Sequence, residues 1–251
     1  MIPPVIVLAG LGLVIGSFLN VCIVRLPEHR SIWRPGSSCP ACGAAIGWRD
    51  NIPVLSYLAL RGRCRACGER ISWRYPLVEI VTSSLFVLTY LRFGWSTELP
   101  VALVLISALI VITGIDLTHQ IIPDVVTLPG IVLGFLANLL AHHVGWTESL
   151  LGILVGGGTF FVVIRASNGG MGGGDMKLGA MLGAFLGWKI ALMSILIAVL
   201  AGGTLAVVLL VLKIRGRKDP VPFGPFLALG GSAGLFWGER LLAWYLGGFH
   251  A

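Results

Sequence analysis

Gly169-Gly170-Met171-Gly172-Gly173-Gly174-Asp175 is a glycine run closed by one carboxylate, and a helical apolar pattern starts directly after it at Met176-Lys177-Leu178-Gly179. Backbone without Cβ atoms reaches positive φ freely and lets another chain lie against it. The run therefore reads in two ways, as a loop presenting Asp175 where a peptide backbone must approach, or as a linker whose aspartate caps the next helix. The chain around it bears on the choice, and that chain is overwhelmingly apolar.

With 56% hydrophobic and 12% charged residues, 35 glycines and a mean hydropathy of +0.92, the 251 residues cannot form a water-soluble globule. A membrane span takes about 20 apolar residues, and most of the sequence is consumed by such segments. The composition specifies an all-α polytopic membrane protein. Its net charge of +7 consequently points to no nucleic acid, because Lys and Arg in such a chain mark cytoplasmic loops.

The first apolar segment, about residues 2–24, has neither a basic region before it nor a small-residue cleavage site, so it reads as a retained span. Gly10, Gly12, Gly16 and Ser17 give it small positions for close helix packing, and Cys22 reads as a buried small hydrophobe. A change of composition follows. Between residues 28 and 75, Arg30, Arg34, Arg49, Arg61, Arg63, Arg65, Arg70 and Arg74 face only Glu28, Asp50 and Glu69. The positive-inside rule places this loop in the cytoplasm and the N-terminus outside. Three domains are expected: residues 1–26 as the first transmembrane helix, 27–75 as a cytoplasmic loop carrying four cysteines, and 76–251 as the remaining membrane domain.

The loop carries Cys39-Pro40-Ala41-Cys42 and Cys64-Arg65-Ala66-Cys67, each followed by glycine. Two CxxC pairs match the tetrahedral preference of structural zinc, and nearby arginines favour thiolates. So small a loop has little core, which makes metal binding most of its folding energy. Disulfides and metal-free thiols are the alternatives, the former disfavoured by a reducing cytoplasm.

Further spans are expected near residues 76–93, 99–115, 125–141 and 149–164, then a short one at 176–187, a longer one at 190–212 and a last at 225–246. The total is about eight. Alternation from an outside N-terminus returns the C-terminus to the outside and puts the basic run of residues 213–218 in the cytoplasm. It also puts Trp95, Trp146, Trp188 and Trp244 at the outer interface, where indoles prefer to sit. His142 and His143 fall on that outer side and receive no role.

This topology brings Asp116, at the end of the third span, and Asp175, at the start of the sixth, to the same cytoplasmic rim. Carboxylates at the edge of hydrocarbon are costly and usually functional. Two within hydrogen-bonding reach share one proton and titrate as a unit. Such a dyad activates water while protonating a scissile carbonyl. Asp124, next to Pro123 at a helix start, fits a dipole-stabilised residue better and is kept as supporting.

These motifs resemble those of the type IV prepilin peptidases, membrane aspartyl proteases marked by GxGD. That motif stands here as Gly172-Gly173-Gly174-Asp175. Its partner matches Asp116 through Ile121-Ile122-Pro123-Asp124, and the amino-terminal motif matches residues 16–27. Residues 50–57, 61–64 and 71–79 resemble the family again. The resemblance implies a bifunctional enzyme of the bacterial inner membrane. Such enzymes cut the leader of prepilins or pseudopilins at the cytoplasmic face and then N-methylate the new terminus, often phenylalanine, from S-adenosylmethionine.

Lys177 would bias Asp175 or anchor at the headgroups. Glu79, just inside the second span, would meet the leader's basic residues or the methylation site, or else snorkel to an arginine such as Arg74. Gly179, Gly183 and Gly187 form a small-residue stripe that suits packing between the chain's own helices. A cation channel or transporter also uses aspartates at a glycine-broken helix, and a zinc-knuckle scaffold would need only the cysteines.

Overall fold

The computed structural model describes residues 3–141, 144–166, 171–214, 216 and 221–247. Gly169, Gly170, His142, His143, Arg215, Arg217 and Lys218 lie outside the described residues. The chain divides into two compact units, Met1–Leu99 and Pro100–Ala251.

The first unit holds α1 (Pro4–Arg25), a 3-10 turn (Trp48–Asn51), the short α2 (Leu55–Ala59) and α3 (Arg74–Phe93). Pro4 opens α1, where its missing N–H is no loss. α1 and α3 pack backbone to backbone. A Cβ on Gly12 would stand 2.5 Å from Ser83 Cα, and one on Gly16 would stand 2.7 Å from Glu79 Cα. Gly12 and Gly16 are thus contact points for the second span, whereas Gly10 faces open space. The Asn20 amide donates to the Tyr75 carbonyl at 3.0 Å, and the Ser83 hydroxyl to the Ala9 carbonyl at 2.9 Å.

The second unit holds α4 (Glu98–His119), α5 (Asp124–Ala141), α6 (Trp146–Ala166), α7 (Gly173–Val211) and α8 (Gly224–Gly247). α7 is broken at Gly187, which sits at φ 74° and ψ 167°. Only glycine takes such a backbone at little cost, so the separate short and long spans expected at 176–187 and 190–212 are the two arms of α7. A break in an apolar helix leaves carbonyls without their partners in the helix. Here Asn138 of α5 donates to the Ala184 and Phe185 carbonyls at 2.8 and 3.2 Å, and Ser149 of α6 to Ala184 at 2.7 Å.

The glycine stripe meets α6 directly. Added Cβ atoms on Gly179 and Gly183 would run into the Gly156 and Gly152 carbonyls, so it serves packing between the chain's own helices. The core of this unit contains Leu105, Leu109, Ile112, Leu178, Met181, Leu182 and Leu227. Among the described residues, five helices are long and apolar enough to cross a membrane: α1, α3, α4, α6 and α7. The shorter α5 is apolar as well. The protein is an all-α polytopic membrane protein with a cysteine-bearing loop between α1 and α3.

Candidate functional site

Helical periodicity buries Asp116. Leu105, Leu109 and Ile112 form the inward stripe of α4, and position 116 is the next point on it. Asp116 is 4% exposed and lies in the last turn of the helix. The carbonyl end of its own helix does not favour a negative charge there. The start of α8 does, because the Gly224 N–H donates to Asp116 Oδ2 at 2.8 Å in a fully buried bond. A Cβ at 224 would press on the carboxylate, standing 2.8 Å from Oδ2 and 3.1 Å from Cγ. The sequence reading missed Gly224. Its signal was Gly224-Pro225 opening an apolar helix, a glycine placed where the backbone N–H, and no side chain, is wanted.

Asp175 is held by the first turn of α7. Gly172 is the N-cap, at φ −77° and ψ 145°, and brings no capping side chain. Asp175, three residues on, accepts a bond from the Gly172 backbone N–H, the acidic half of a capping box. Asp175 is therefore not the N-cap that the linker reading makes it, but a first-turn residue whose carboxylate reaches back to the cap. Capping does not call for burial, however, and Asp175 is only 8% exposed and within electrostatic reach of Asp116. Gly174 makes the approach possible, because a Cβ there would stand 2.8 Å from Ile122 Cβ in the turn after α4. A Cβ on Gly172 would make ordinary contact with Asp175 Oδ2 at 3.4 Å.

Lys177 turns to Asp124, not to Asp175. Its Nζ lies 2.6 Å from both Asp124 oxygens, tying the start of α7 to the start of α5. Asp124 and Lys177, expected to act separately, thus form one ion pair, and Asp124 stands in the first turn of α5 where the dipole favours it.

In the first unit, Cys39, Cys42, Cys64 and Cys67 place their sulfurs within 4.8 Å of one another. Cys39 and Cys67 are 3.9 Å apart, close to the edge of about 3.8 Å that a tetrahedron with ~2.3 Å Zn–S bonds requires. The two knuckles are built alike. Gly43 and Gly68, at φ 72° and 74°, donate to the Cys39 and Cys64 carbonyls at 2.8 and 2.9 Å. Isolated antiparallel bridges, Ser38 with Ala45 and Arg63 with Arg70, close each turn. Backbone N–H groups of Cys42 and Ala41 bring the Cys39 thiol down to about 7. The Glu69 N–H pulls Cys67 down, but the Cys42 thiol, burial and the Cys64 and Cys39 thiols outweigh it and push it up to about 12. A divalent cation at the centre removes this mutual penalty, so the donor set fits zinc. Asp50 and Arg65 brace the loop with two bonds of 2.7 Å.

Glu79 does not pair with Arg74. It is 7% exposed, and its Oε2 accepts the Val54 N–H at 2.7 Å.

Residues 11–93 match the model of the Bacterial Peptidase A24 N-terminal domain, and residues 103–207 match the Type IV leader peptidase family. The chain is 37% identical to a prepilin leader peptidase/N-methyltransferase of Pseudomonas aeruginosa, over 94% of this chain and 91% of that one. Proteins of the same description from Xanthomonas campestris pv. campestris and Aeromonas hydrophila are 41% and 39% identical, each over 95% of this chain and 93% and 92% of theirs. No solved structure matches the chain.

Proposed function

The chain belongs to the prepilin leader peptidase/N-methyltransferase family, and from that premise we propose that it removes the leader of prepilins or pseudopilins and methylates the new N-terminal amine. The observation that carries the reading is the pair of buried carboxylates Asp116 and Asp175, each bound to a backbone N–H at a helix start and within electrostatic reach of the other.

One carboxylate takes a proton from the attacking water while the other, protonated, gives its proton to the scissile carbonyl oxygen. The tetrahedral intermediate then collapses with proton return to the leaving amine. Gly174 and Gly224 supply the close backbone approach, and the Lys177–Asp124 pair holds the starts of α5 and α7 together. The carboxylates occupy the last turn of α4 and the first turn of α7, which suits cleavage at a membrane rim. A cation pathway would need its ligands nearer mid-membrane. The arginine-rich loop favours a cytoplasmic rim, with both termini outside in an inner-membrane protein.

Cys39, Cys42, Cys64 and Cys67 would hold a structural zinc ion that fixes the shape of the loop, and four thiolate ligands would leave no open position for catalysis. S-adenosylmethionine enters as the methyl-donating co-substrate. The test is mass spectrometry of a prepilin incubated with the purified protein and S-adenosylmethionine in detergent. Loss of the leader and gain of one methyl group on the new terminus is expected; an unprocessed prepilin would overturn the reading.

A further inference from the structure

Glu79 is a buried carboxylate without a cation. It lies near the start of α3, 7% exposed, and its partners are neutral: the Val54 N–H at 2.7 Å on Oε2 and the Ser17 hydroxyl of α1. Among the described residues it makes no ion pair. The surroundings are built. Gly16 brings the α1 backbone against the Glu79 Cα. Val54 is held at φ 61°, a conformation poorly suited to a β-branched residue. Ser56, 8% exposed, fixes the next turn by accepting from the Ile52 N–H and donating to the Arg49 carbonyl, both at 2.9 Å.

Burying an unpaired carboxylate at a membrane rim is expensive, and such groups pair with a cation when they work. Fastening Val54 alone would need no charge, since a neutral amide oxygen accepts the same bond. A carboxylate placed there offers what an amide cannot, a group able to take up a proton and to pair with a cation that arrives. The reaction of the family supplies a cation of suitable kind, because peptide cleavage leaves a primary α-ammonium on the mature pilin.

We propose that Glu79 binds the α-ammonium of the cleaved pilin and accepts a proton from it for methylation, an inference that rests on the methyltransferase half of the function above. The ammonium gives one proton to the carboxylate. The freed nitrogen lone pair forms the N–C bond to the methyl group of the donor sulfonium. The C–S bond breaks, sulfur keeps its electron pair as a thioether, and the pilin leaves as a secondary ammonium. The proton on Glu79 then passes to water.

The test uses the full-length protein in detergent and two synthetic peptides, each about 20 apolar residues long. One begins with phenylalanine and its free ammonium, the other with the desamino equivalent. Without methyl donor, wild type binds the ammonium peptide tighter by about 10- to 100-fold, the worth of one hydrogen-bonded charge. Glu79→Gln keeps the Val54 bond but binds both peptides equally and loses methyl transfer to the first by a similar factor. Glu79→Asp restores part of the discrimination. Retained discrimination in Glu79→Gln, or none in wild type, overturns the proposal. A wild type that fails to methylate the ammonium peptide instead refutes the methyltransferase reading on which the proposal rests.

Discussion

Replacing Gly224 by alanine puts a methyl group against the carboxylate assigned to peptide cleavage. The new Cβ would stand 2.8 Å from Asp116 Oδ2, 3.1 Å from Cγ and 3.2 Å from Cβ, where ordinary contact begins near 3.4 Å. The carboxylate must therefore yield by about 0.6 Å, or the start of α8 must retreat and lengthen the 2.8 Å bond. A misplacement of 1 Å costs on the order of 100-fold in rate, and losing a hydrogen bond to a charged group costs about 1.5–3 kcal/mol, or roughly 10- to 100-fold. Both routes place the loss in prepilin cleavage between roughly 10- and 100-fold, expressed in kcat. The assay is single-turnover cleavage of a purified prepilin in detergent, with methylation of a pre-cut pilin by the same sample as the internal check on folding. Gly203→Ala is the control, since a Cβ there meets nothing within 4 Å. Cleavage by Gly224→Ala within twofold of wild type would show that α8 does not position Asp116.

Three further outcomes follow from the same geometry. Gly174→Ala, which drives a Cβ to 2.8 Å from Ile122, should lower cleavage at least tenfold, while Gly173→Ala, with nothing within 4 Å, should leave it near wild type; equal rates would contradict the close approach. Lys177→Met and Asp124→Asn should each reduce cleavage by no more than about tenfold, as suits a partly exposed pair, and the double variant should be no worse than either single one; additive losses in that cycle would mean the residues act separately. Chelation of zinc, or Cys39→Ser, should make the loop between α1 and α3 sensitive to limited proteolysis, checked beside metal content by mass spectrometry; an unchanged digestion pattern would show that the cage does not fold the loop.

Those positions also show what the amino-acid sequence discloses about such a molecule. The spans, the break at Gly187, the stripe of Gly179 and Gly183 and the cysteine cage are local properties, written in runs of one residue type or in fixed spacings. Partnerships between helices are different. A span that is apolar all round carries no stripe to say which face meets a neighbour, so the approach of α8 to Asp116 could not be read from either segment. The same reason hid Asn138 and Ser149, isolated polar residues whose task becomes visible only where the carbonyls of the broken α7 lie beside them. Sequence proximity offers Lys177 to Asp175 or to the headgroups, yet an ammonium on a long stem goes to the exposed carboxylate it can chelate, Asp124. For Glu79 one of the three alternatives, an arginine such as Arg74, gives way to a backbone N–H, because Val54 adopts a positive φ that no propensity would assign to valine.

The central claim is that Asp116 and Asp175 act together as the peptidase dyad, and its most direct measurement is prepilin cleavage by Asp116→Asn and Asp175→Asn. Each variant would be purified in detergent, with methylation of a pre-cut pilin verifying that it is folded. Both should lose cleavage by several orders of magnitude while still methylating, and the double variant should be no more impaired than either alone. Cleavage at the wild-type rate by either single variant would remove that aspartate from the chemistry and contradict the account.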